Sequence, residues 1–200
     1  MVRKFEYSFE DVPSIEISDL SGWYYWYIDW VSVFAKRKMT FIEIKSCIEN
    51  IIKFYEDKSF SCGIKNTGTE FGERYIGNVK SDWIKKFKSE QENIDVVGNS
   101  WESFIVWIEL ITDFKIPIYF GESENLYSRM KQHAEVLSDQ NYSGKENFGK
   151  RFNSRRIEFS LDKYLKPANL KVKIFATESS DILEIERLIN VVIKPINGVK

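Results

Sequence analysis

Ile118-Tyr119-Phe120-Gly121 is the stretch of sequence that decides the fold, and Asn125-Leu126, Arg129 and His133 follow it at short intervals. It places a tyrosine, an arginine and the only histidine of the chain at fixed offsets across a predicted strand, a turn and a helix. On a helical wheel, His133 falls inside the apolar stripe of that helix and Arg129 lies at its edge. Purely structural interpretations are a hydrogen-bonded core histidine and an arginine that extends its charge to solvent. The alternative is a functional polar cluster that faces the sheet.

The carboxyl-terminal segment supplies a carboxylate that could join this cluster. A helix is predicted to begin near Ser180 and to end before Pro195. Glu186 falls beside the apolar stripe of this helix, whereas Glu184 points to the solvated side. An isolated glutamate beside such a stripe is usually a boundary residue, but we assign Glu186 to the site. The stripe itself consists of Ile182, Ile185, Leu188, Ile189, Val192 and Ile193.

An aromatic strand near the amino terminus supplies a second tyrosine. The run from Trp23 to Phe34 is rich in residues that favour pleated, half-buried surfaces, and we predict a strand there. Because side chains alternate along a strand, Tyr24 and Tyr25 point to opposite faces. We choose Tyr24 for the site, and the competing interpretation is a tyrosine that only packs.

Together these segments resemble the GIY-YIG nuclease family. Gly22-Trp23-Tyr24 is similar to the first motif of the family, with Trp in place of Ile, and the stretch that ends at Gly121 is similar to the second. Arg129 follows Tyr119 by ten residues and His133 follows it by fourteen, which are the spacings of the family.

Three smaller features extend the resemblance. Asn125-Leu126 matches the pair at the start of the motif helix, and Glu186 precedes Lys194-Pro195 at nearly the interval of the family. Asn197 also matches, although one residue is missing between Pro195 and Asn197. The resemblance thus assigns supporting structural roles to four residues, Gly22, Gly121, Asn125 and Asn197.

The chain departs from the family in the spacing of its two tyrosine strands, which are separated by about 80 residues instead of a short hairpin. Surface insertions cost little closure entropy, so such a separation is tolerable. A literal Tyr75-Ile76-Gly77 lies inside the insertion, but Lys85 and Ser89 occupy the tenth and fourteenth places after Tyr75. We therefore interpret that tripeptide as a loop.

The resemblance implies a role for each polar residue of the site. Glu186 would hold one Mg²⁺ or Mn²⁺, hard cations that prefer oxygen ligands, and Arg129 would contact the scissile phosphate. Tyr24 or Tyr119 would help to deprotonate a water molecule, and the sequence does not say which. His133 would accept or relay that proton.

The order of the predicted elements indicates an α+β fold, a small antiparallel sheet flanked by helices as in the GIY-YIG family. Residues 1–35 and 102–200 would form the catalytic domain, and residues 36–101 a partly helical insertion. No internal repeat is present.

Several elements follow from local signals. Thr40 and Glu43 form a capping box before an amphipathic helix that contains Cys47. A loop or short hairpin is predicted over 57–78, and Ser81 would cap a second helix. Strands are predicted at Phe104–Thr112, Lys115–Phe120 and Lys171–Ala176, although periodicity alone does not exclude a helix at the first of these. Gly121 would end the second strand, and Pro117 places that strand near an edge or lies at its entrance. A helix is predicted from about Glu124 to Leu137, followed by a loop rich in Gly, Asn and Ser.

Two hundred residues with 43% hydrophobic and 16% aromatic content can bury one substantial core, or a small catalytic domain that carries one sizeable insertion, and we expect one compact unit with an elaboration. No run approaches the roughly 18 apolar residues that span a bilayer. The amino terminus has charge and no apolar signal core, so we expect a cytoplasmic location without a membrane. Cys47 and Cys62 lack metal-ligand spacing and are interpreted as reduced thiols.

Charge is distributed unevenly although the formal net charge is only -1. Residues 141–173 carry nine Lys or Arg against three acids, whereas residues 1–30 carry two bases and six acids. The basic segment could contact phosphates, although such a run is more often a solvated face. Its proposed contacts with nucleic acid are Lys145, Lys150, Arg151, Arg155 and Arg156.

The functional expectation is a metal-dependent DNA endonuclease of restriction or mobile-element type. Cleavage of both strands at a palindromic site would be simplest for a homodimer. A structure-selective repair nuclease is a second enzymatic alternative. A catalytically inactive module that binds nucleic acid or protein on a nuclease fold is the alternative from another class.

Overall fold

The structure is a computed structural model that describes residues 3–15, 17, 20–56, 61–62, 77–78, 91–138 and 148–177. The strands are β1 (Arg3–Ser8), β2 (Ser21–Ile28), β3 (Ser61–Cys62), β4 (Gly77–Asn78), β5 (Pro117–Ser123) and β6 (Leu170–Thr177). The α-helices are α1 (Trp30–Phe34), α2 (Phe41–Glu56), α3 (Gln91–Gly98), α4 (Trp101–Asp113), α5 (Leu126–Ser138) and α6 (Phe148–Glu158). Two 3-10 helices, Phe9–Ser14 and Pro167–Asn169, complete the described elements.

Four strands form one antiparallel sheet in the order β1-β6-β2-β5, and β3 pairs with β4 in a separate ribbon. The strands β2 and β5 are direct neighbours even though the insertion lies between them in sequence. Their register pairs Tyr24 with Gly121 and Trp26 with Tyr119. An α+β fold with a small antiparallel sheet is therefore confirmed.

The principal apolar core lies on one face of the sheet. Tyr24 and Trp26 of β2 are completely buried there, as are Val172 and Ile174 of β6. Helix α5 packs on β2 and β5, and α6 packs on α5. The buried stripe of α2 belongs to the same cluster, and its members are Ile44, Cys47, Ile48, Ile51 and Phe54. Burial raises the pKa of the Cys47 thiol to about 12, which keeps it neutral.

The capping box before α2 is confirmed. The backbone N–H of Thr40 donates to Glu43 Oε2 at 2.8 Å, and the N–H of Glu43 donates to Thr40 Oγ1 at 3.4 Å. These bonds satisfy N–H groups that the first turn of a helix leaves without an intrahelical acceptor.

The prediction of a strand at Phe104–Thr112 is wrong, because this segment forms α4. Ser100 caps the helix by accepting a hydrogen bond from the backbone N–H of Ser103 at 3.0 Å. Phe104 and Ile108, one helical turn apart, are its fully buried residues. The β-branched and aromatic composition favoured a strand, but packing with a four-residue period determined a helix.

Two further boundaries differ from the sequence prediction. The aromatic strand ends at Ile28, because Asp29 accepts a hydrogen bond from the N–H of Ser32 and caps the short helix α1. Gly121 does not end β5, which continues to Ser123 while Gly121 stays paired with Tyr24. As expected, Pro117 lies at the entrance of β5, an outer strand in the described sheet.

The segment after α5 also contains more regular structure than expected. Part of the predicted loop is helix α6, whose buried Phe148 and Phe152 are four residues apart. The strand predicted at Lys171–Ala176 is confirmed as β6. The helices predicted to begin at Ser81 and Ser180, as well as Tyr75 of the literal tripeptide, lie outside the described residues.

No helix within the described ranges is long and apolar enough to cross a membrane. The cytoplasmic location and the division into a catalytic domain and an insertion both stay predictions.

We expect alanine substitutions in α4 to follow the helical period. Ile108→Ala removes a fully buried side chain and should lower the free energy of unfolding by about 2–5 kcal/mol. Val106 is 55% exposed, so Val106→Ala should change the free energy of unfolding by less than about 0.5 kcal/mol. Denaturant unfolding of both variants measures this difference. Equal destabilisation would support the strand, in which both side chains share one face.

Candidate active site

Strand β2 directs Tyr24 into the core and Tyr25 to the other face of the sheet. Tyr24 has 0% exposure. Tyr25 packs against a second small cluster that contains Trp23, Phe120 and Phe175. The alternation of the strand therefore places Tyr24, as predicted, on the face that α5 covers.

Gly121 makes room for the two tyrosines. It lies directly across from Tyr24 in the β2–β5 pair, and Tyr119 lies two residues before it on the same face of β5. A Cβ atom at Gly121 would stand 2.6 Å from Tyr24 Oη and 2.9 Å from Tyr119 Cε1. The ring of Tyr24 can approach β5 only because this position has no side chain, and the two ring centroids are 6.0 Å apart.

Gly22 is required by the backbone of the same strand. Its φ of +154° is one that residues with a side chain rarely adopt, and a Cβ atom would stand 2.1 Å from the carbonyl oxygen of Phe175. This glycine therefore allows β2 to approach β6 closely at the start of the strand that carries Tyr24.

Helix α5 brings an arginine and a histidine to the same point. Asn125 begins the helix, because its Oδ1 accepts a hydrogen bond from the backbone N–H of Ser128 at 2.9 Å. Arg129 and His133, one turn apart, then face the sheet, where His133 is 2% exposed and Arg129 is half-buried. Leu126, Met130 and Leu137 form the buried stripe around them.

The hydroxyl oxygen of Tyr24 joins the sheet to this helix through two hydrogen bonds. Arg129 Nε donates to Tyr24 Oη at 3.1 Å, and Tyr24 Oη lies 2.8 Å from His133 Nε2. Because the guanidinium has only donors, the Tyr24 oxygen accepts from it. The hydrogen bond between Tyr24 and His133 contains one proton. When the imidazole is neutral and its Nε2 carries no hydrogen, the phenol holds this proton and donates it to Nε2.

Aromatic rings enclose this hydrogen-bonded group. Phe148 at the start of α6 stacks on Tyr119 with a centroid separation of 4.8 Å and lies edge-on to His133 at 5.6 Å. Trp26 packs against Phe148 from the sheet side at 5.7 Å. The surroundings of His133 are therefore largely apolar, which strengthens electrostatic interactions among the polar atoms.

Burial keeps both members of the Tyr24–His133 pair neutral. Desolvation, with smaller contributions from the charges of Arg129 and Arg151, lowers the pKa of His133 from 6.5 to about 3. Desolvation also raises the pKa of Tyr24 well above its ordinary value, and neighbouring Tyr119 adds to this effect. Arg129 opposes it, because a guanidinium stabilises a phenolate.

The described part of the site carries positive charge and no carboxylate cluster. Within the ranges that the structure describes, no three Asp, Glu, His or Cys residues are grouped so that they could hold a metal ion. Glu122 pairs with Trp23 and therefore belongs to the opposite face of the sheet. These residues alone do not fit Mg²⁺ or Mn²⁺, and the carboxylate predicted to bind the metal, Glu186, lies outside the described residues.

The structure brings together four of the five predicted catalytic residues, Tyr24, Tyr119, Arg129 and His133. Two supporting glycines, Gly22 and Gly121, and the helix cap Asn125 lie where they position these side chains. Asn197 and Lys145, like Glu186, lie outside the described residues.

Two of the arginines predicted to bind nucleic acid have structural contacts. Arg156 is 4% exposed, and its guanidinium donates to Asn153 Oδ1 and to the carbonyl oxygen of Leu165, both at 3.0 Å. Arg155 donates to the carbonyl oxygen of Phe54 at 2.8 Å and lies over the rings of Phe54 and Phe159. Arg155 and Arg156 thus join α6 to neighbouring segments, and their contact with nucleic acid stays a prediction.

Sequence reasoning missed one aromatic member of the site, Phe148, and the electrostatic effect of Arg151 on His133. Both residues lie on α6, which was predicted as a loop. The spacing of Phe148 and Phe152 was the available signal, since apolar residues four apart indicate a helical face.

Comparison with protein-family models, with curated proteins and with solved structures finds no match for this chain.

A methyl group at position 121 should displace Tyr24. Gly121→Ala is expected to break the Tyr24–His133 hydrogen bond and to lower the free energy of unfolding by roughly 1–3 kcal/mol, since overpacking strains a filled core. Denaturant unfolding and the NMR signals of the single histidine measure these changes. Gly98→Ala is the matched control, because the three nearest atoms to its Cβ all belong to the flexible Lys45 side chain. Unchanged histidine signals in Gly121→Ala would contradict this packing.

His133 should stay neutral through the physiological pH range. Its folded-state pKa is about 3 against an ordinary value of 6.5, so only the unfolded chain takes up this proton between those values. Its contribution to stability is complete above pH 6.5 and is lost as pH falls toward 3, with a slope of up to about 1.4 kcal/mol per pH unit. NMR titration of the single histidine should show no midpoint between pH 8 and 5. A midpoint near 6.5 would show that the ring is not buried as described.

Proposed function

We propose that this chain is a phosphodiester hydrolase, a metal-dependent DNA endonuclease that resembles the GIY-YIG family. One observation carries the proposal: a single buried tyrosine oxygen is hydrogen-bonded both to Arg129 Nε and to His133 Nε2. Packing alone does not require an arginine and a histidine to converge on one phenol across 105 and 109 residues of sequence. The same triad supplies a proton acceptor, a proton relay and a phosphate-binding cation.

Tyr24 is suited to activate a water molecule by passing its proton onward. In the neutral pair, the phenol donates to His133 Nε2 and its oxygen accepts from Arg129 Nε. Tyr24 is fully buried in the free protein, so substrate binding would have to open a path by which a water molecule reaches this oxygen. As the water oxygen attacks phosphorus, its proton moves to Tyr24 Oη and the phenolic proton moves to His133 Nε2. The bond from phosphorus to the ester oxygen breaks, and the leaving oxygen takes up a proton from solvent.

The bound substrate would lower the cost of this proton transfer. In the free protein, burial and two cationic arginines keep the pKa of His133 low. A phosphodiester beside these arginines would bring a negative charge that offsets theirs and favours the imidazolium. Arg129 also stabilises negative charge on the Tyr24 oxygen during the transfer.

Arg129 is placed to bind the scissile phosphate as well. Its guanidinium is half-buried, with Nε on Tyr24 and Nη1 donating to Gln132 Oε1 at 2.7 Å. These two contacts hold the planar donor group in one orientation, which is the arrangement that stabilises charge developing on a phosphate.

The proposed metal ligand is Glu186, and this assignment rests on the family resemblance. A Mg²⁺ or Mn²⁺ ion held there would supply charge neutralisation at the leaving oxygen.

DNA binding would extend from the site along α6 and the segment before it. Exposed Lys150 and half-buried Arg151 on α6, together with Lys145, are the proposed contacts with the phosphate backbone. A homodimer would match cleavage at a palindromic recognition site, as in restriction enzymes.

Plasmid cleavage in Mg²⁺ or Mn²⁺ tests the proposal. Tyr24→Phe and Arg129→Ala should each lower the cleavage rate by about 10²-fold or more, because each removes a group used in the transition state. Tyr119→Phe and Glu186→Ala should also lower it. Tyr25→Phe, the matched control on the opposite face of β2, should cleave at the parent rate.

Equal cleavage by the parent, Tyr24→Phe and Arg129→Ala would exclude this site as the catalytic centre. Salt-sensitive DNA binding by the parent without cleavage would indicate a binding module instead. Preference for branched over linear duplex would favour a structure-selective repair nuclease over a restriction-type enzyme.

A further inference from the structure

Arg151 lies one turn after Phe148 on the side of α6 that faces the site. Phe148 stacks on Tyr119 and contacts the edge of His133, which fixes the orientation of the first turn of this helix. Residues three apart in a helix share a face, so the Arg151 side chain extends along the same side. Its positive charge reaches His133, whose pKa it helps to lower.

The contacts of Arg151 differ from those of the next two arginines. Arg155 and Arg156 donate to backbone carbonyl oxygens, which explains their burial. The Nε atoms of Arg151 and Arg155 are both shielded from solvent without a hydrogen-bond partner in the described part of the chain, but Arg155 also donates through Nη2 to the carbonyl oxygen of Phe54. A buried donor without an acceptor is destabilising, and the positive charges of Arg151 and Arg129 both disfavour the protonated form of His133.

An anion at this point would relieve both effects. It would accept a hydrogen bond from the unpaired donor and would neutralise part of the charge of two arginines. Phosphate oxygens match the forked donor geometry of arginine particularly well.

We propose that Arg151 is a second phosphate-binding arginine, which contacts the scissile phosphodiester together with Arg129. This inference rests on the proposed function and extends it. The proposed function assigns Arg151 only to the DNA phosphate backbone, whereas this inference assigns it to the reaction centre. Helix α6 would then be part of the site.

Inorganic phosphate provides a test that does not depend on cleavage. The NMR signals of His133, the only histidine, should shift on addition of phosphate to the parent protein. Arg151→Gln should weaken this binding by about tenfold or more, since it removes a charge-assisted hydrogen bond, and Arg151→Lys should restore part of it. Lys131→Gln is the matched charge control, because Lys131 is exposed on α5, and it should bind phosphate as the parent does.

Plasmid cleavage by the same variants gives the second measurement. Arg151→Gln should lower kcat by about 10²-fold, and Lys131→Gln should leave it unchanged. The inference is overturned if phosphate does not shift the His133 signals of the parent, or shifts them equally in Arg151→Gln. Phosphate binding that depends on Arg151 in a parent that never cleaves DNA would support the anion site and reject the nuclease.

Discussion

The hydrogen bond between Tyr24 Oη and His133 Nε2, shared with Arg129 Nε, is the interaction on which the rest of the site depends. It joins the middle of β2 to α5 across the core and satisfies polar atoms that burial would otherwise leave at a cost. Because the Tyr24 hydroxyl is fully enclosed, each partner is held in a narrow range of positions. The polar group thus fixes how the helix sits on the sheet and at the same time defines the chemistry.

Two glycines make this approach possible. Gly22 brings β2 against β6, and Gly121 leaves space beneath the Tyr24 ring on β5. Their roles differ, since one depends on backbone conformation and the other on the absence of a side chain. The strand pair survives a long insertion because the energy of strand pairing and core packing exceeds the small additional entropy of closing a longer loop.

The site combines buried neutral groups with positive charge from arginine. Burial holds Tyr24 and His133 neutral, and the charges of two arginines lower the pKa of His133 further. The proposed phosphodiester would supply an anion that these positive charges attract. The acidic residue proposed to bind the metal would come from the carboxyl-terminal segment, so that three separate parts of the sequence contribute to one centre.

The sequence alone determined the residue types and intervals of the site, because a strand period of two and a helix period near four make Tyr24, Arg129 and His133 predictable from local order. It also determined α2, through its capping box and apolar stripe. Only the tertiary structure decided that Phe104–Thr112 is helical and that α6 closes the site, since both segments contain residues compatible with more than one local structure. The pairing of β2 with β5 and the structural contacts of Arg155 and Arg156 were likewise tertiary, because a sequence does not show which neighbours a side chain meets across the core.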